Sequence, residues 1–186
     1  MLIAREKEKS NIAEYVLYMW QIEDVIRSNE FDLEQINSTI IEKFDVSDEV
    51  KFDMKLWYQN LIENMMKEGI AEKGHLKMTL HRIEELNNLH NSLLTTLQDA
   101  AYQAQYLKTK ENLSNFIKKT DGEASNEIYA CFIGLYGYML LKLKQAKISD
   151  STKEAMNSFS SLLAVLVNRY NSLQKGELKL PKEKSN

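Results

Sequence analysis

The stretch YVLYMWQIEDVIR, residues 15–27, decides how the rest of the chain is read. It opens with six apolar residues in a row and then sets Glu23 and Asp24 between Ile22 and Val25. Ile12, Tyr15, Met19, Ile22 and Ile26 recur at spacings of three and four, the repeat of one helix face. The spacing predicts a helix from about Arg5 to Arg27. Adjacent helical residues point about 100° apart, so the two carboxylates are not a facing pair. Asp24 projects to the solvent side with Glu14, Gln21 and Ser28, whereas Glu23 falls within the apolar stripe. A carboxylate there needs a partner or a raised pKa. Arg27, one turn on, offers a structural ion pair. A functional carboxylate beside Trp20 is the other reading.

Working outward, Asp32 is placed to cap a second helix through Phe44, with Leu33, Ile36, Ile40 and Ile41 facing inward. Ser47 or Asp48 starts a third through about Glu68, carrying Phe52, Leu56, Leu61, Ile62 and Met65. Gly69 and Gly74 bracket a break. From about His75 the residues Leu76, Leu80, Ile83, Leu86, Leu89, Leu93 and Leu97 mark the next apolar side. A single helix on to Lys119 would be about 65 Å long, so a break is expected between Gln98 and Asn112. Asp121-Gly122 stops this unit, and a further helix spans about Ser125 to Lys147. Ser149-Asp150-Ser151 caps the last helix, to about Gln174, where Met156, Phe159, Leu163, Leu166, Tyr170 and Leu173 repeat strictly.

These elements predict an all-α fold: a single-domain helical bundle of about six helices, mostly antiparallel neighbours, over residues 1–174, followed by a polar tail over 175–186. The chain of 186 residues has one proline and six glycines, so little interrupts helices. Three segments, 15–20, 128–141 and 162–167, are apolar nearly all round. Such helices are surrounded on several sides, at the centre of a bundle or in an oligomer interface. Ala130, Gly134 and Gly137 share one face, giving either close helix packing or room for a ligand.

The net charge of −3, with lysines spread among acids, argues against nucleic acid as a partner. The longest uncharged run, residues 128–141, falls short of the about 20 residues a membrane span needs. No signal peptide is visible, and the reading is a cytoplasmic protein. The single cysteine, Cys131, excludes an internal disulfide framework and reads as a small buried hydrophobe.

The histidines are His75, His81 and His90. Glu72-Lys-Gly-His75 matches the Glu-x-x-His spacing of metal-binding bundles, but no second copy accompanies it and Gly74 lies inside it. No metal and no cofactor are expected. His90 projects into the apolar face between Ile83 and Leu97, as a hydrogen-bonded core histidine or as a ligand or proton shuttle. His81 points away. Nucleophilic triads, phosphate loops and dinucleotide fingerprints are absent, and Gly134-Leu-Tyr-Gly137 sits inside a helical run.

Residues 1–7 and 11–27, MLIAREK and NIAEYVLYMWQIEDVIR, resemble a bacterial family known as a domain of unknown function. The segment Tyr129 to Leu143, with GLYGYMLLKL, resembles that family's later part. The likeness covers nearly the whole chain. It implies a small intracellular bacterial protein and supplies no activity.

The residues themselves point first to a non-enzymatic interaction or scaffold protein that self-associates, as a homo-oligomer or with a protein partner. They carry apolar helices and no complete catalytic constellation. The alternative is a small-molecule or metal site in the bundle core, possibly enzymatic, built on Trp20, Glu23 and His90, with His75 beside them.

Overall fold

The computed structural model describes residues 2–179. The part of the expected polar tail from residue 180 onward lies outside them. The chain is all-α: eight α-helices and one short 3-10 turn, with no strand among the described residues. Two compact units divide it, Met1–Arg82 and Ile83–Asn186.

The first unit holds α1 (Leu2–Ser10), α2 (Ile12–Ser28), α3 (Leu33–Thr39), a 3-10 turn (Ile41–Lys43) and α4 (Asp48–Lys67). The helix expected over residues 5–27 is therefore two. Asn11 is extended, at φ −149° and ψ 93°, and its side-chain oxygen accepts the Glu14 N–H. Its amide nitrogen donates to Glu14 Oε1 at 2.9 Å, so cap and third residue hold each other. Asp32 caps α3 as expected, accepting from the N–H groups of Glu34 and Gln35. That helix stops at Thr39 rather than Phe44, and Ile41 is buried from the 3-10 turn instead.

In α4, capped by Ser47, the buried residues are Met54, Tyr58, Leu61 and Met65. Phe52 and Leu56, two of the apolar residues this helix carries, are 61% and 42% exposed. The two stripes are offset by two residues, about 200° around the helix, and both contain large apolar side chains. Periodicity gave no ground to prefer the buried one. Gly69 and Gly74 take φ +71° and +98°, a left-handed conformation that L side chains resist, and together they turn the chain between α4 and the next helix.

That helix, α5 (Lys77–Thr95), contains the boundary between the units. The second unit continues with α6 (Ala100–Ile117), α7 (Glu127–Leu143) and α8 (Asp150–Gln174). Here α8 packs on both α6 and α7, and α6 packs on α7. The expected interruption of the long helix comes at its early edge. Gln98 has φ +48°, and Asp99 caps α6 by accepting the Tyr102 N–H at 2.9 Å. Arg169 of α8 donates to the same carboxylate from Nε at 2.6 Å. The unexpected break at Asn11, together with the expected one at Gln98–Asp99, turns about six expected helices into eight. Ser149 caps α8 as expected, whereas α7 ends at Leu143 rather than Lys147, with Gln145 at φ +52°.

The small-residue face of α7 divides in function. A Cβ built on Gly134 would lie 3.0 Å from the Phe159 ring and 3.2 Å from Met156, so α8 packs where that side chain would be. A Cβ on Gly137 would meet nothing within 4 Å. Gly134→Ala is expected to destabilise by about 1–3 kcal/mol through overpacking. Gly137→Ala is expected to stabilise by up to about 1 kcal/mol through helix propensity. Urea denaturation of the two variants checks this pair, and equal effects of the same sign would refute the division.

Candidate functional site

Trp20, Glu23 and Arg27 lie along one side of α2, three and four residues apart. Glu23 has no solvent exposure. Its Oε2 is 2.7 Å from His75 Nδ1, and its Oε1 accepts the Leu76 N–H at 3.1 Å. An ionised carboxylate only accepts, so His75 donates from Nδ1. The Trp20 ring stacks on the His75 ring at 3.8 Å between centroids and 10° between planes. The His75 side chain is 19% exposed.

The expected Glu23–Arg27 pair does not form. Arg27 instead bonds Asp24 at 3.0 Å and donates to the carbonyl oxygens of Ile70 and Gly74. The Gly69–Gly74 turn leaves those carbonyls outside any helix, and a guanidinium has donors enough for both. Asp24 is thus the partner of Arg27, and His75 that of Glu23. Glu72-x-x-His75 does not present two ligands on a helical face, because α5 begins only at Lys77. Among the described residues no group of three or more His, Cys, Asp and Glu side chains is placed to hold a metal ion. His81 is exposed.

His90 is buried in the second unit, at 2% exposure. Its Nδ1 is 2.6 Å from the Tyr102 hydroxyl, and its Nε2 is 3.1 Å from Glu127 Oε2. Tyr106 donates its hydroxyl to Glu127 Oε1 at 3.0 Å. Burial pushes the Tyr102 phenol far above its ordinary pKa, so it keeps its proton. The chain of donors then has one direction: Tyr102 O–H to Nδ1, Nε2–H to Glu127, and Tyr106 O–H to Glu127. The hydrogen bond from His90, aided by that from Tyr106, holds the Glu127 carboxyl below its usual range. Burial, then the Glu127 hydrogen bond, push Tyr106 up to about 12. Cys131, one turn after Glu127, is fully buried and its thiol is pushed up by desolvation, so it is an unreactive packing residue.

The outward side of α4 is the third feature. Phe52, Leu56, Gln59, Glu63 and Met66 are all exposed and follow each other at spacings of four, three, four and three. Asp48 and Glu49 occupy the first turn and Lys67 the last.

The family described as Domain of unknown function (DUF4924) matches residues 1–177. The chain belongs to that family. No curated protein and no solved structure matches it. The family description carries no activity, so function rests on the geometry above. No described helix is long and apolar enough to cross a membrane.

Trp20, Glu23 and His90 are the site residues expected from the sequence. Trp20 and Glu23 share one partner, His75, whose ring stacks on Trp20 and hydrogen-bonds Glu23. His90 has its own partners, and Tyr102, Tyr106 and Glu127 were not singled out. Glu127 follows Asn126, which caps α7. A carboxylate in a first turn reads as a dipole partner, and nothing local shows that a histidine 37 residues away will use it.

Glu127 and Asp99 are both held below the usual carboxylate range, by His90 and by Arg169 respectively. A carboxyl whose folded pKa is depressed contributes stability that is complete above its unfolded value, about 4. The contribution is lost as pH falls through the folded value. The urea midpoint is therefore expected to fall below about pH 4, with a shallower fall in Glu127→Gln. Tyr102→Phe strands His90 Nδ1 in the interior and is expected to cost about 1–3 kcal/mol at neutral pH. A Phe variant as stable as the parent would remove the network from the stability argument.

Proposed function

We propose that this protein is a non-enzymatic interaction protein that associates with a second copy of itself along the outward face of α4. The supporting observation is the exposure of Phe52, Leu56 and Met66, at 61%, 42% and 58%, along one stripe. Single exposed apolar residues are ordinary, but here Phe52, Leu56 and Met66 share one face with Gln59 and Glu63 at spacings of three and four, the geometry of a helix–helix seam with a polar middle. The charges of the helix make that seam self-complementary. Two copies set antiparallel bring Asp48 and Glu49 of one against Lys67 of the other, and their macrodipoles oppose. One helix pair buries area near the low end of stable interfaces, which favours micromolar rather than nanomolar association.

Native mass spectrometry and light scattering on the untagged protein test this reading. A concentration-dependent dimer is expected. Phe52→Glu with Leu56→Glu places unpaired charge in the seam and should weaken the dimer by about a hundredfold or more, leaving the helical circular dichroism intact. A parent that stays monomeric at high micromolar concentration, or a double variant that dimerises as well as the parent, sinks it.

A second reading, a small-molecule site on Trp20, Glu23 and His75, has its own support. A fully buried carboxylate backs a histidine ring whose edge reaches solvent, as in pairs that orient an imidazole for binding or proton transfer. His90, grouped with Trp20 and Glu23 from the sequence, commits both ring nitrogens to Tyr102 and Glu127, so His75 takes its place here. The same native spectra examine this. A metabolite-sized adduct on the parent that disappears in a folded Glu23→Gln variant is the expected result. A bare parent spectrum counts against the site.

A further inference from the structure

A groove of about 730 Å³ runs between the end of α6, the outward side of α7 and the start of α8. Phe116, Ile133, Leu140 and Met156 form apolar walls, and Gly137 supplies no side chain to fill it. Its volume lies within the range of sites that enclose small organic ligands. Two lysines, Lys119 and Lys144, stand at its edge, against one acid, Glu123. Among the described residues neither lysine is engaged by an ion pair or a side-chain hydrogen bond. Ser151 and Thr152, from the first turn of α8, add hydroxyls to the same edge.

We infer that this groove binds an amphiphilic carboxylate, with its alkyl chain along the Gly137 side of α7 and its headgroup between Lys119 and Lys144. Each feature answers to one part of such a ligand. The apolar walls come from three helices, Phe116 of α6, Ile133 and Leu140 of α7 and Met156 of α8, and an alkyl chain removes them from water. The edge carries one net positive charge from its three ionised side chains, two lysines and one glutamate, and complements a monoanion. The gap at Gly137 is the structural point of the argument. Three residues earlier in the same helix the missing side chain of Gly134 is occupied by Phe159, whereas at Gly137 the space stays open to the groove. The site belongs wholly to the second unit, so it stands or falls independently of the α4 seam.

Isothermal titration calorimetry of the full chain with octanoate, decanoate and dodecanoate, each below its micelle-forming concentration, tests the assignment. Saturable binding of one ligand per chain is expected, tightening about two- to fourfold for each methylene added. Dodecanol should bind at least about threefold more weakly than dodecanoate, since it has no charge for the lysines. Gly137→Trp fills the groove and should weaken dodecanoate binding about tenfold or more. Lys119→Glu with Lys144→Glu alters only exposed side chains and should erase the preference for dodecanoate over dodecanol. Absence of saturable binding, chain-length independence, or a preference unchanged in the lysine variant would overturn the proposal. So would binding to phosphatidylglycerol vesicles without binding to the free carboxylates, which would assign the surface to a membrane.

Discussion

A carboxylate with no access to water has to be surrounded by donors, and Glu23 organises the first unit around that need. An unpaired ionised carboxylate in the interior would cost many kcal/mol, which folding stabilities do not cover. Here one oxygen takes the His75 ring and the other the Leu76 backbone N–H. Both donors come from the connection between α4 and α5, not from a helix. The carboxylate therefore fixes the conformation of a segment that has two left-handed glycines and no regular hydrogen bonding to hold it. Arg27 adds its guanidinium to the same connection through Ile70 and Gly74, and Trp20 covers the histidine ring. Three side chains of α2 thus determine how the chain enters α5.

The second unit meets the same constraint with a different arrangement. His90 is as buried as an aliphatic core residue, and both its nitrogens are satisfied by side chains from α6 and α7. Glu127 collects two donors while remaining partly exposed, so its charge is never isolated in the interior. A network with every member satisfied restricts how α5, α6 and α7 meet, because any slip of one helix breaks several bonds at once. Asp99 extends the principle. It caps α6 and accepts Arg169 in one side chain, so the start of α6 and the body of α8 share a single carboxylate. Close packing at Gly134 sets the remaining pair, α7 against α8.

Much of this was legible in the sequence, and what was not had specific causes. Asp32, Ser47 and Ser149 announced their helices because an N-cap acts over two or three residues. Asn11 carried the same kind of signal, with Glu14 three residues on, but charged residues on both sides of it and the apolar seam from Ile12 are equally compatible with one continuous helix. Glu23 was identifiable as anomalous, since its place in the stripe is a matter of helical geometry. Its partner was not, because His75 lies 52 residues away across two further helices and two turns. Which face of α4 is buried was not legible for another reason. A helix with apolar residues on two sides gives two consistent periodicities, and only the rest of the fold selects one.

That ambiguity on α4 has a physical sequel. A helix that needs one buried face for its own unit is usually polar opposite, and α4 keeps Phe52, Leu56 and Met66 there. The groove on α7 is a different kind of exposure. The α4 stripe is a row of exposed side chains along about four turns of one helix. The groove is concave and is lined by two lysines and one glutamate. Shape and charge therefore separate the two surfaces on which the two proposals rest: a row of exposed side chains on α4, and a cavity between α6, α7 and α8 lined by two lysines.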